Sequence, residues 1–157
     1  MKTAGLDSVT LIHAFQELIP GVSNPNREVE MAGGAKILMQ SLEIEGVTIV
    51  VPTVVASEYL AGIDPDHHEA TLTAFRESFD MPCFDLKAAS IAAKLWRTHG
   101  AIPAAEQLGR LVLKSDVLII ATLKACGVAH YYSNDGRSRR LAEQAGLLPH
   151  DLPEQSP

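Results

Sequence analysis

Four carboxylates are spaced along the chain so that one pocket could gather them: Asp7, Glu58, Asp116 and Asp135. Asp7 directly follows a short apolar run, residues 2–6. Glu58 falls in a helical pattern after the β-branched run 47–51, on the same face as Val54, Ala61 and Gly62. Asp116 shares a helical stripe with Ile119, Ile120 and Leu123, and Asp135 closes the run 128–133 within Ser133-Asn134-Asp135-Gly136. Each has a structural alternative. Asp7 suits a helix cap, Asp116 a helix N-terminal dipole, Asp135 a turn, and Glu58 a solvated surface. Yet Glu58 and Asp116 lie on apolar stripes, where a carboxylate is unfavourable unless compensated, and no Lys or Arg shares those stripes. A divalent cation is the economical partner, and a donor set of oxygens alone suits Mg²⁺ or Mn²⁺. One or two such ions would neutralise much of the cluster and ready water for in-line attack on a phosphodiester.

Cations stand near the last carboxylate. Arg137, Arg139 and Arg140 follow Asp135 within five positions, and Lys114 precedes Asp116 by two. One reading is a phosphate clamp, because Arg grips phosphate with two parallel hydrogen bonds. The other is a solvated helix face. Adjacent His67 and His68 point to different sides of a helix and do not share an ion easily. His13 reads as a partly buried structural histidine and Trp96 as core or dimer contact. No P-loop, Gly-x-Gly-x-x-Gly or Ser-His-Asp arrangement is present.

The elements that must position these groups follow from the periodicity of the chain. Its 157 residues, 46% hydrophobic and 20% charged, suit one globular domain. We take residues 1–148 as that domain and 149–157 as a tail. Short apolar runs at 2–6, 47–51 and 128–133 read as strands, with 81–84 as a further short one. Helical patterns cover 8–18, 30–45, 52–62, 67–79, 86–100, 105–113, 115–126 and 138–145, with Gly46 and Gly146 as helix ends. Residues 22–26 and 101–104 read as loop, and 147–157 as a tail or ragged edge strand. Strands separated by helical crossovers imply an α/β fold, a three-layer α/β/α sandwich with a mainly parallel sheet. Sites in such sheets form beyond the carboxyl ends of the strands, where Asp7 and Asp135 fall.

The composition excludes several classes. A net charge of −6 argues against a simple cationic glove for nucleic acid. Cys83 and Cys126 are too few and too far apart for a disulfide scaffold or structural zinc, so a reduced, cytoplasmic setting is expected. No apolar run approaches the ~20 residues needed to span a bilayer, so no membrane partner is expected.

Four segments in order resemble the PIN-domain ribonucleases over roughly residues 6–147. They are Leu6-Asp7-Ser8-Val9-Thr10-Leu11-Ile12, then Pro52-Thr53-Val54-Val55-Ala56-Ser57-Glu58-Tyr59-Leu60, then Ser115-Asp116-Val117-Leu118-Ile119-Ile120-Ala121-Thr122-Leu123, and finally Tyr132-Ser133-Asn134-Asp135. The resemblance implies a PIN-like fold whose acidic quartet is Asp7, Glu58, Asp116 and Asp135, both catalytic and metal-holding. It makes Ser8 and Ser133 the supporting hydroxyls. It further implies a Mg²⁺- or Mn²⁺-dependent endoribonuclease acting on RNA, single-stranded by our reading. Such a nuclease is often the toxin of a toxin–antitoxin pair, and usually a homodimer. Val9 departs from the pattern, since it stands where the family carries Asn. That departure motivates a competing reading, a PIN-fold binding or regulatory module with weak or no catalysis.

Overall fold

In a computed structural model the protein is described over residues 2–15, 17–19, 21–23, 29–99 and 107–154, with 17–19, 23, 29–32, 99 and 107–114 as backbone only. Four short strands form one parallel sheet in the order β4-β1-β5-β6: β1 (Thr3–Leu6), β4 (Thr48–Val50), β5 (His130–Tyr132) and β6 (Leu148–His150). The helices between them are α1 (Ser8–Ala14), α2 (Val29–Ile44), α3 (Thr53–Leu60), α4 (His68–Ser78), α5 (Leu86–His99), α6 (Gln107–Ala125) and α7 (Gly136–Gln144). A separate two-stranded ribbon pairs β2 (Glu17–Ile19) with β3 (Val22–Ser23).

Side-chain alternation along the strands assigns the layers. Gly5 and Tyr131, paired in register, face α6 and α7: Gly5 abuts Leu123, and the Tyr131 hydroxyl meets Ser138. Ala4, His130 and Tyr132 face the other way, toward Leu42 and Glu45 at the end of α2. Helices therefore cover both faces, as a parallel sheet requires. Gly46 and Gly146, at φ +65° and +81°, release α2 and α7 into the next strand as expected.

Aromatic rings tie the rest together. Tyr59 packs edge-on against Phe75 at 5.1 Å, Phe75 lies 6.0 Å from Phe79, and Phe79 meets Phe15 edge-on at 5.9 Å. Burial of Tyr59 fixes the rotation of α3 about its axis, and so the direction of its neighbour Glu58.

Five local expectations need correction. The first helix stops at Ala14 rather than continuing through Leu18, because Phe15 turns extended (φ −119°, ψ 111°) and packs on Phe79. Residues 17–19 then pair with Val22–Ser23, so the segment read as loop opens with a strand. Residues 81–84 form no strand. Asp80 makes one bridge to Val50, and Pro82, which has no N–H, cannot extend a ladder. The two helices expected around Lys114 are one, α6, since residues 110–126 hold neither Gly nor Pro to break it there. Of the two readings of residues 147–157, the edge strand is found at Leu148–His150, so the sheet runs past the domain boundary taken at 148. The expected break at 101–104 lies outside the described residues. Among the described residues no helix is long and apolar enough to cross a membrane.

Gly5 allows α6 to lie directly on β1. A Cβ there would overlap both methyl carbons of Leu123, which is fully buried and has no room to retreat. Gly5→Ala is expected to destabilise the fold by about 1–3 kcal/mol through overpacking, read as a lowered urea midpoint at unchanged slope.

Candidate active site

The four carboxylates come from four separate elements and line one cleft of about 380 Å³, together with Ser8, Val9 and Ser115. Its floor is built at the carboxyl ends of two adjacent strands. Asp7 follows β1 and caps α1, its Oδ1 accepting from the Thr10 backbone N–H at 2.7 Å. Its Oδ2 accepts from the Ser133 hydroxyl at 2.5 Å. The Ser133 oxygen also accepts from the Asp135 N–H at 3.0 Å, so one buried hydroxyl ties Asp7 to the end of β5. Asp135 in turn caps α7 by accepting from the Arg137 N–H at 2.8 Å. Both residues are thus helix caps and cleft residues at once. The two readings of each were never exclusive.

Asp116 and Glu58 reach the same cleft from helix interiors. Asp116 lies in the middle of α6, well beyond its first turn, so a dipole at the helix start does not account for it. Glu58, half-buried on α3, accepts a hydrogen bond from the Ser115 hydroxyl, which precedes Asp116 in the chain.

The electrostatics record the crowding. Burial pushes the Asp7 carboxyl above its ordinary value, helped by the Asp135 charge, while hydrogen bonds from Ser133 and Thr10 pull it down. Asp116 is pushed from 3.8 up to about 7, first by burial and then by the charges of Asp7, Asp135 and Glu58, with Ser138 opposing. The Asp116 shift draws on all three other carboxylates, so the cluster behaves as one electrostatic unit.

Ser133, expected as a supporting hydroxyl, is the hub of the cleft floor, and Ser8 lines its wall. Val9 also lines it, 40% exposed. Arg139 turns inward: its Nη1 donates to the Ser133 carbonyl at 2.7 Å and pairs with Asp151 at 3.0 Å, bracing the end of β5 against the segment after β6. Arg137 and Arg140 are exposed, and the Arg137 Nε lies 4.0 Å from Asp135. Lys114 is part of α6, and its side chain lies outside the described residues. His13 is buried, with Nδ1 2.6 Å from the Val9 carbonyl, a structural histidine as expected.

Three hydroxyls escaped the sequence reading. Ser115 serves Glu58, Ser138 serves Asp116, and Tyr131 is joined to Ser138 at 2.7 Å beneath the cleft. The available signal was spacing, since Ser138 lies three residues after Asp135 and hence on the same helix face.

Solved structures share this architecture. A chain of the Rickettsia felis VapBC2 complex, bound to a DNA fragment from its promoter, superposes with a TM-score of 0.62 at 14% identity, covering 96% of this chain and 99% of that one. A chain of the DNA-bound VapBC complex of Salmonella typhimurium gives 0.59 at 14% identity over 96% and 98%. Mycobacterium tuberculosis VapC20, a toxin that cleaves the sarcin-ricin loop, gives 0.56 at 15% identity over 92% and 96%. No protein-family model and no curated protein sequence matches the chain. The chain has a PIN-like α/β fold. At 14–15% identity the likeness to these three chains is one of fold.

Because the folded pKa of Asp116 lies above its unfolded value, the native state holds an extra proton between pH 3.8 and about 7. Stability from this group is therefore complete at low pH and is lost as pH rises toward 7. In EDTA, the parent should lose melting temperature from about pH 4 to about pH 7, whereas Asp116→Asn should lose less and melt no lower than the parent at the upper end. Parallel thermal scans across that range provide the check.

Proposed function

We propose that this protein is a Mg²⁺- or Mn²⁺-dependent endoribonuclease, a hydrolase of RNA phosphodiester bonds and the toxin of a toxin–antitoxin pair. The observation that carries the reading is the convergence of Asp7, Glu58, Asp116 and Asp135 in one cleft, with the Asp116 carboxyl raised to about 7 by burial and by the other three charges. Such a donor set, all oxygen and strongly self-repelling, fits a hard divalent cation. Asp7, Glu58, Asp116 and Asp135 would hold it, and when bound it would supply charge neutralisation and an activated water for in-line displacement at phosphorus.

The chain's own groups prepare the rest. The Ser133 hydroxyl and the Thr10 N–H hold the Asp7 carboxylate in a fixed orientation, and the Ser115 hydroxyl does so for Glu58. The Asp116 carboxyl, raised to about 7, is only partly ionised near neutrality and must release its proton for the cluster to reach full charge. Exposed Arg137 and Arg140, with Lys114, are proposed to take the flanking phosphates, which the net charge of −6 would otherwise repel. Arg139 is proposed to act through Ser133 as a positioning residue. A single strand is the favoured substrate because its backbone bends into a recessed cleft more readily than a stiff duplex. The antitoxin partner is proposed from the likeness of fold to chains of two VapBC complexes, and the homodimer from the resemblance of the four acid-bearing segments to the PIN-domain ribonucleases.

One observation favours the competing reading of a binding module with weak or no catalysis. Among the described residues no three His, Cys, Asp or Glu side chains stand close enough to hold a metal ion without moving. Calorimetry at millimolar Mn²⁺ or Mg²⁺ separates the two readings, and no uptake would favour the module.

Purified protein is expected to cleave single-stranded RNA only with Mg²⁺ or Mn²⁺, to stop in EDTA, and to lose cleavage in Asp7→Asn, which also controls for contaminating nuclease. Cleavage persisting in EDTA would overturn the mechanism. Arg137→Ala and Arg140→Ala should each weaken RNA binding and lower the salt slope by roughly one counterion, leaving Mn²⁺ uptake intact. An unchanged slope in both would make these residues a solvated face.

A further inference from the structure

Apart from the acidic cleft, two imidazoles meet on the sheet face covered by the end of α2. His130 on β5 and His150 on the edge strand β6 place Nδ1 and Nε2 2.9 Å apart. Their ring centroids are 5.1 Å apart and their planes inclined by 26°. The centroids lie farther apart than the two nitrogens, so the rings meet edge to edge with both nitrogens between them. One of these nitrogens carries a hydrogen and the other offers its lone pair, and both lone-pair directions lie along the line joining them. Tyr132 lies nearly parallel to His150 at 4.7 Å and holds that ring in place. Burial and the neighbouring His130 hold His150 below the usual imidazole range, which keeps it neutral.

We propose that His130 and His150 form a second, separate binding site for a borderline transition-metal cation such as Ni²⁺, Zn²⁺ or Cu²⁺. Neutral imidazole is the ligand these ions prefer, and a nitrogen pair discriminates against Mg²⁺. The donor ring shifts its hydrogen to its outer nitrogen, so both inner nitrogens become ligands with no net change in protonation. Tetrahedral bonds of ~2.0–2.1 Å set such nitrogens about 3.3 Å apart, so the rings must part slightly from the 2.9 Å observed and each turn by roughly a third of a right angle, so that their lone pairs converge on an ion beside the line joining them.

Among the described residues no third His, Cys, Asp or Glu completes the set, which leaves the remaining positions to water. A small cavity of about 80 Å³ beside His130 gives that water room, with Lys2, Glu45 and Tyr132 on its walls. The Lys2 and Glu45 charges offset one another there. A bound ion would fasten β6 to β5 next to the point where the His150 carbonyl accepts from the Ser133 N–H at 3.1 Å. Occupancy is therefore expected to stabilise the strand end that carries Ser133.

The test is calorimetric titration of the full chain with Ni²⁺ near pH 7.5, comparing the parent with His130→Gln, His150→Gln and Asp116→Asn. The parent should take up one equivalent of Ni²⁺ beyond any that the acidic cleft binds, and Asp116→Asn should retain that equivalent. Each glutamine variant should bind it weaker by about tenfold or more, while keeping the parent's response to Mn²⁺. Paramagnetic resonance of the parent with one equivalent of Cu²⁺ should show coupling to two imidazole nitrogens, a readout that needs no variant to fold. Unchanged Ni²⁺ uptake in both glutamine variants, uptake lost only in Asp116→Asn, or a Cu²⁺ spectrum without imidazole coupling would each overturn the site.

Discussion

The buried carboxylate of Asp7 stands at the junction on which the arrangement depends. It is 4% exposed, and a charge so placed must be held by donors on every side. The Thr10 N–H holds one oxygen and so starts α1 directly after β1. The Ser133 hydroxyl holds the other and so fixes the end of β5 against the end of β1. Two neighbouring strands of a parallel sheet are thereby locked at the edge where their connections diverge. The same lock gives the cleft its floor.

The rest of the cleft is supported by groups that never enter it. Ser133 is held through its carbonyl by Arg139, which is itself held by Asp151 beyond β6, and through its N–H by the His150 carbonyl. The edge strand is short, yet its last residue directly, and the residue after it through Arg139, hold the backbone of Ser133, whose hydroxyl orients Asp7. On the opposite wall, Tyr59 is anchored among Phe75 and its neighbours, so Glu58 cannot rotate away without disturbing the core. Stability is concentrated in these supports, whereas the carboxylates they hold repel one another. Strain of that kind is common where a site is built for a ligand rather than for the empty fold.

The charge arrangement also bears on how an acidic molecule would accept the polyanionic substrate proposed for it. The carboxylates are gathered and partly desolvated, which raises both Asp7 and Asp116 and, at Asp116, limits the negative charge the cleft carries near neutrality. Arg137 and Arg140 remain exposed on α7, directly after the last of the four acids. In the proposed function, attraction for phosphate and affinity for a cation thus fall to neighbouring but separate groups.

The sequence by itself determined the alternation of strands and helices, the order of the four acids and their attachment to strand ends or apolar helix stripes. These features are local, because hydrophobic period, capping residues and β-branched runs act within a few positions. It also marked Glu58 and Asp116 as anomalous, since a carboxylate on an apolar stripe conflicts with its surroundings whatever the fold. Tertiary structure alone decided where α1 ends, because the contact of Phe15 with Phe79 joins residues far apart in the chain. It decided that residues 17–19 pair as a strand and that Pro82 halts the expected one. It also turned Arg139 toward Ser133 and brought Ser115 and Ser138 to the carboxylates they serve. The physical reason is common to all of these. A hydroxyl or guanidinium carries no periodic signal of its own, and its partner is chosen only when distant segments pack.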